Sequence, residues 1–138
     1  MPESSRAEVR LPAEPIAPAL ARAALRSTAS CLPKPVVHDL SLLVTEVVTN
    51  AVRHGTRGPV DDVIVRIVAD DSVRVEVVDP GRPFDPPPSP ERFDDAPSGW
   101  ELFLLDRLAT DWGVEAEGVG KKVWFEIDVG TEPPAPVE

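Results

Sequence analysis

Residues 43–53 read Leu43-Val-Thr-Glu-Val-Val-Thr-Asn-Ala-Val-Arg53, and His54-Gly55 follow directly. Apolar residues Val37, Leu40, Leu43, Val44, Val47 and Ala51 keep the helical period for about five turns, which predicts a long half-buried helix. Pro35 suits its first turn and Gly55 its C-terminal cap. Inside this pattern Glu46, Asn50 and His54 recur every fourth residue, so they share one side of the helix. They border the apolar face and do not lie opposite it. A carboxylate, an amide and an imidazole in one stripe suit a hydrated divalent cation and a phosphate chain, with a base close by. The competing reading is a solvated helix edge. The amide oxygen of Asn50 is a hard ligand of the kind Mg²⁺ takes while it bridges substrate phosphates. Glu46, one turn earlier, stands where it could take a proton from a hydroxyl or water. His54, at the helix end, equally suits the last helical carbonyls.

Working outward, Val9 and Leu11 before Pro12 predict a short edge strand after a frayed start at residues 1–6. Pro15 opens a first helix in which Ile16, Ala19, Leu20, Ala23, Ala24 and Ser27 keep helical spacing. Beyond the long helix, residues 63–68 are β-branched and residues 73–78 alternate cleanly into Asp79, with Asp70-Asp71-Ser72 as the hairpin turn between them. Residues 80–99 hold seven of the chain's 17 prolines and predict a long lid-like loop. Helical spacing returns from Trp100 to Thr110, and a last hairpin turns around Gly118 and Gly120. The expected fold is α+β: a two-layer sandwich of a mixed, mostly antiparallel sheet with three helices on one face. It forms a single domain over residues 8–129, with flexible tails at 1–7 and 130–138.

Composition narrows the function. A chain of 138 residues with 42% apolar content can bury a real core as one domain. Its net charge of −10 argues against a nucleic-acid partner, because a phosphate backbone needs a basic footprint. An acidic chain is better matched to a protein partner with basic patches, or to a ligand whose charge a metal offsets. One cysteine, Cys31, leaves no disulfide framework within the chain and fits a reducing compartment. No signal peptide and no run of roughly 18 apolar residues is visible, so a cytoplasmic, non-membrane protein is expected.

Two further segments bear on chemistry. In Asp79-Pro-Gly-Arg-Pro83, Pro80 and Gly81 fit a type II turn. The same residues also suit a carboxylate at a strand end that accepts from an exocyclic amine, with Gly81 letting a flat ring approach. Ser98-Gly-Trp-Glu-Leu102 precedes a helix, where small residues expose N–H groups to an anion or simply form a cap.

Together these segments resemble the GHKL, or Bergerat-fold, ATPases, which include histidine kinases, gyrase-type ATPases and the anti-sigma-factor serine kinases. Glu46-x-x-x-Asn50-x-x-x-His54 is similar to the family's N box, Asp79-x-Gly81 to its adenine-binding box, and Gly99-Trp-Glu-Leu-Phe-Leu-Leu-Asp106 to its glycine box. The run through Val114 to Gly120-Lys-Lys-Val-Trp-Phe-Glu126 most resembles small actinobacterial anti-sigma kinases. The resemblance implies ATP and Mg²⁺ as cofactors, Glu46 as general base and Asn50 as metal ligand. It implies nucleotide contacts from Asn50, His54, Asp79, Gly81, Gly99 and Leu102. It also implies phosphoryl transfer to a serine of an anti-anti-sigma (STAS-type) protein, with a sigma factor as a second partner, and it allows a homodimer. Histidine-kinase activity is not expected, since no dimerising phosphoacceptor helix pair is visible, and His38, a candidate by residue type alone, is expected at a helix surface.

The chain departs from the family pattern twice. Pro83 stands where the adenine box usually has a second glycine, and Glu101 where the glycine box usually has glycine. A carboxylate in a first helical turn can fill the anion-favouring position itself and repel a phosphate. Besides a free-standing ATPase domain serving an unrelated signalling system, two main readings therefore stay open. One is a serine kinase that also sequesters a sigma factor. The other is a catalytically weak or inactive module of the same fold that regulates a partner by occlusion.

Overall fold

The computed structural model describes residues 5–29, 32–56, 61–81 and 99–129, with backbone alone for 99–101. Lid positions 82–98, Pro83 and Ser98 among them, the Glu101 side chain and the tail from residue 130 lie outside these. Strand β1 (Ser5–Pro12) leads to helices α1 (Ala17–Thr28) and α2 (Lys34–His54), then strands β2 (Asp62–Ala69) and β3 (Ser72–Asp79). Helix α3 (Gly99–Leu108) and strands β4 (Asp111–Glu117) and β5 (Gly120–Asp128) follow. The five strands form one sheet in the order β1-β2-β3-β5-β4. All four ladders are antiparallel.

Strand period 2 makes the two layers. Val63, Val65 and Ile67 on β2, Val73, Val75 and Val77 on β3, and Val123, Phe125 and Ile127 on β5 all point to one face and are buried. Leu40, Leu43, Val44, Val47, Val48 and Ala51 of α2 close over them, joined by Leu102, Leu104 and Leu105 of α3. On β3 and β5 the same inward parity continues into Asp79 and Lys121, which the register pairs directly. The apolar rows thus end in two buried charges.

The opposite face is polar. Arg66 reaches Glu8, Glu76 and Glu117 at 3.2–3.3 Å. Arg74 reaches Glu76 at 2.9 Å and Glu126 at 2.8 Å and stacks 4.3 Å from the Trp124 ring centroid. Gly113 leaves room for that indole, since a Cβ there would stand 2.7 Å from its Nε1.

Three sequence expectations change. Residues 5–7, read as part of a frayed tail, pair with Ala69, Val68 and Ile67 in β1. Helix α1 opens at Ala17 and carries Pro18, not Pro15, in its first turn. Its buried face is Ala17, Ala21 and Leu25, while Ile16 and Leu20 stand 51% and 41% exposed. The helix is amphipathic, with Arg22, Arg26 and Ser27 away from the buried line of Ala17, Ala21 and Leu25, and counting Ile16, Leu20 and Ser27 as its apolar side picks the wrong face. Ala17 and Ala21 face inward beside Leu25, where α1 packs on both β1 and α2. His38 is exposed on α2, where the sequence reading placed it.

Candidate functional site

The site forms where the C-terminal end of α2 meets the ends of β3 and β5. Asp79 is the last residue of the central strand, and its side chain is 1% exposed. Glycines on two sides admit the carboxylate. A Cβ at Gly55 would overlap all three of its carboxyl atoms, and one at Gly81 would stand 2.9 Å from Oδ1 and 3.0 Å from the Gly55 Cα. Gly120, at the start of β5, lets the Asp79 carbonyl oxygen approach, and a Cβ there would overlap it.

Glycine is needed at these positions for space, not for backbone conformation. Gly55 does cap α2, its N–H donating to the Ala51 carbonyl, but at φ −99° any residue could do so. Gly81 also lacks a positive φ; among described glycines Gly118 alone has one, at 57°. A type II turn at Pro80-Gly81 is therefore absent, because it requires positive φ at the glycine. The Gly81 N–H instead donates to Asp79 Oδ1 at 2.7 Å, closing an Asx turn that fixes the carboxylate plane.

The carboxylate has a charged neighbour. Lys121 Nζ stands 3.2 Å from Oδ1, to which it donates a hydrogen bond, and 2.9 Å from Oδ2. Toward Oδ2 the contact is one of charge alone, for no hydrogen bond of good geometry reaches that atom among the described residues. The Lys121 side chain is 10% exposed. Close opposite charge offsets the desolvation of each, and removing either would strand the other.

The polar stripe runs away from this point along α2. Asn50 and Glu46 are half-buried at the edge of the apolar face, and His54 is exposed in the last turn. By helix rise they stand about 7 Å and about 14 Å back from Gly55 along the axis. The structure therefore brings Asp79 and Gly81 together at one end of the site, joined through Gly55 to the helix that carries Glu46, Asn50 and His54. Leu102 is buried in the core cluster on α3, and Gly99 begins α3. Among the described residues no group of three His, Cys, Asp or Glu side chains could hold a metal ion. A cation beside Asn50 would thus draw ligands from a phosphate chain as well.

Sequence reading missed three participants. From sequence, Gly55 reads as a cap alone and Gly120 as part of a turn. Lys121 was quoted without a role, though its parity was legible: it shares a strand face with Val123, Phe125 and Ile127, and a lysine on an inward face requires a carboxylate.

The sequence profile of the histidine kinase-like ATPase domain matches residues 11–127. No curated protein matches the chain. Among solved structures, the chain is similar to the RsbU and RsbW domains of Rv1364c from Mycobacterium tuberculosis, with 21% identity and a TM-score of 0.68 over 89% of this chain and 31% of that one. It is also similar to the blue-light activated histidine kinase EL346 of Erythrobacter litoralis, with 22% identity and a TM-score of 0.56 over 80% of this chain and 40% of that one. The chain thus spans less than half of either protein, and at these identities the likeness speaks for the fold alone.

Proposed function

The chain belongs to the histidine kinase-like ATPase domain family, and from that premise we propose that it is an Mg·ATP-binding regulator of the anti-sigma-factor type. In this reading it phosphorylates a serine of an anti-anti-sigma (STAS-type) protein and engages a sigma factor. The observation that carries the reading is the Asp79 carboxylate, buried at the end of the central strand among Gly55 and Gly81, with Oδ2 making no hydrogen bond among the described residues. A buried acceptor held in plane by an Asx turn fits the exocyclic amine of a purine.

Asp79 would hold the base, with Gly81 keeping side chains off its plane. The Asn50 amide oxygen would ligate the cation, and Glu46 would accept the proton of the attacking serine hydroxyl. His54 lies one turn beyond Asn50 on the same stripe, and Gly99 begins the helix whose N-terminal N–H groups would face the phosphates. Bound Mg·ATP supplies the transferable phosphoryl group and the charge that neutralises it. The chain's net charge of −10 suits a partner with a basic surface.

Incubation with labelled ATP, Mg²⁺ and a candidate anti-anti-sigma protein tests this. Wild type should transfer label to a serine, and Glu46→Ala should lose at least 100-fold in rate, the scale of general base catalysis at about 10²–10⁴-fold. Equal transfer by both proteins would remove Glu46 from its role.

One observation favours the second reading, a module that regulates by occlusion with little turnover. Lys121 already sits against the carboxylate on which base recognition depends. Nucleotide binding without transfer, or transfer far slower than partner binding, would point that way.

A further inference from the structure

Resting on the reading of Asp79 as the base-recognising residue, we propose that Lys121 is an internal competitor for that carboxylate. Its ammonium occupies the position a nucleotide's exocyclic amine needs, so nucleotide binds only when the lysine swings out. Three observations converge. Nζ stands between the two oxygens, 3.2 Å from Oδ1 and 2.9 Å from Oδ2. With Gly81 N–H also on Oδ1 at 2.7 Å, the remaining acceptor is Oδ2. That atom is fully buried, the Asp79 side chain as a whole is 1% exposed, and the lysine ammonium is its nearest charged neighbour.

The geometry also makes the block reversible. Asp79 and Lys121 are directly paired across the β3–β5 ladder, so the lysine backbone cannot move without breaking the sheet. Its four-carbon stem can, because lysine is a flexible point charge with rotatable donors. Its hold on Oδ2 is by charge without a well-formed hydrogen bond. A planar amine can donate a well-formed hydrogen bond to that atom, but as a neutral donor it does not replace the lysine's charge. Separating the buried carboxylate from its ammonium is costly, so in this proposal nucleotide selects a minor arrangement in which the two are apart. Apparent affinity falls by the fraction of molecules in which the lysine is out. Lys122, one residue on, cannot play this part. It projects to the opposite face, among Glu76, Glu115 and Glu117.

The test combines calorimetric titration of Mg·ATP with amine labelling of the wild-type chain. Lys121→Thr, which keeps a hydroxyl donor beside Asp79, and Lys121→Met, which keeps the stem without the charge, should each bind Mg·ATP at least tenfold more tightly than wild type. Should either variant fold poorly, the wild-type chain alone still decides. Under limiting acetylation read by mass spectrometry, Lys121 should react slowly beside exposed Lys34, and saturating Mg·ATP should raise its rate severalfold as the ammonium leaves Asp79. A wild type that binds Mg·ATP as tightly as both variants, or more tightly, would overturn the proposal. So would acetylation of Lys121 that stays constant or falls when nucleotide is bound, since the lysine would then be a ligand contact and not a competitor. No binding by wild type or by either variant would sink the nucleotide reading itself, an outcome distinct from failure of the competitor alone.

Discussion

Gly55 shows how a single position can serve two purposes, only one of them legible in the sequence. A glycine after a long amphipathic helix reads as a cap, and it is one, yet its φ of −99° makes no demand for glycine. The demand comes from Asp79, 24 positions later, whose carboxylate fills the space a Cβ would take. Such a contact depends on how α2 meets β3, which no local pattern records. Gly55→Ala should therefore destabilise the fold by about 1–3 kcal/mol, as overpacking does in a closed site. Substitution at an ordinary exposed cap with φ below zero would change little. Urea denaturation compares them, and an unchanged midpoint for Gly55→Ala would show that the carboxylate can move aside freely. Lys121 carries the complementary lesson. Its parity on β5 was there to be read, but its partner became evident only once β5 was seen beside β3 and not beside β2.

The elements themselves were legible wherever a period was strong. The β-branched run of residues 63–68, the alternation in 73–78 and the five-turn pattern of α2 each gave an element in its expected place. Helix α1 is legible as an element, but the larger apolar residues Ile16 and Leu20 point to the wrong face, since the buried line runs through Ala17, Ala21 and Leu25. The outward face of the sheet was the least legible, since its ion pairs join residues up to 58 positions apart. Glu76 is its hub. Burial, the largest single influence, pushes the Glu76 carboxyl up, but hydrogen bonds from Arg74 and Arg66 and the charge of Lys122 together hold it below the usual carboxylate range. A carboxylate depressed in the folded state stabilises fully above its unfolded value, near about 4.3, and loses that contribution as pH falls through the lower folded value. Glu76→Gln should thus cost about 1–2 kcal/mol at pH 7, moderated because the network is partly solvated. The difference from wild type should shrink below about pH 4. Thermal melts across pH settle the sign, and a gap that widened in acid would contradict the assignment.

At the scale of the whole molecule, one apolar layer between sheet and helices sets the geometry of the site. Phe125, fully buried on β5 beside the central strand, sits one inward position beyond Val123 and two beyond Lys121. Phe125→Ala should remove about 3–5 kcal/mol of stability by opening a cavity, with loss of the cooperative transition in calorimetry as the expected extreme. The same layer seats α2 against β3, and so holds the stripe of Glu46, Asn50 and His54 at a fixed remove from Asp79. The stripe and the strand end were each visible in the sequence. Their union through Gly55, and the lysine set against the carboxylate, belong to the tertiary fold. The central claim is that this carboxylate binds a nucleotide base. Calorimetric titration of Mg·ATP into wild type and Asp79→Asn tests it most directly. The account predicts saturable binding by wild type and at least tenfold weaker binding by Asp79→Asn; equal affinities for the two proteins would contradict it.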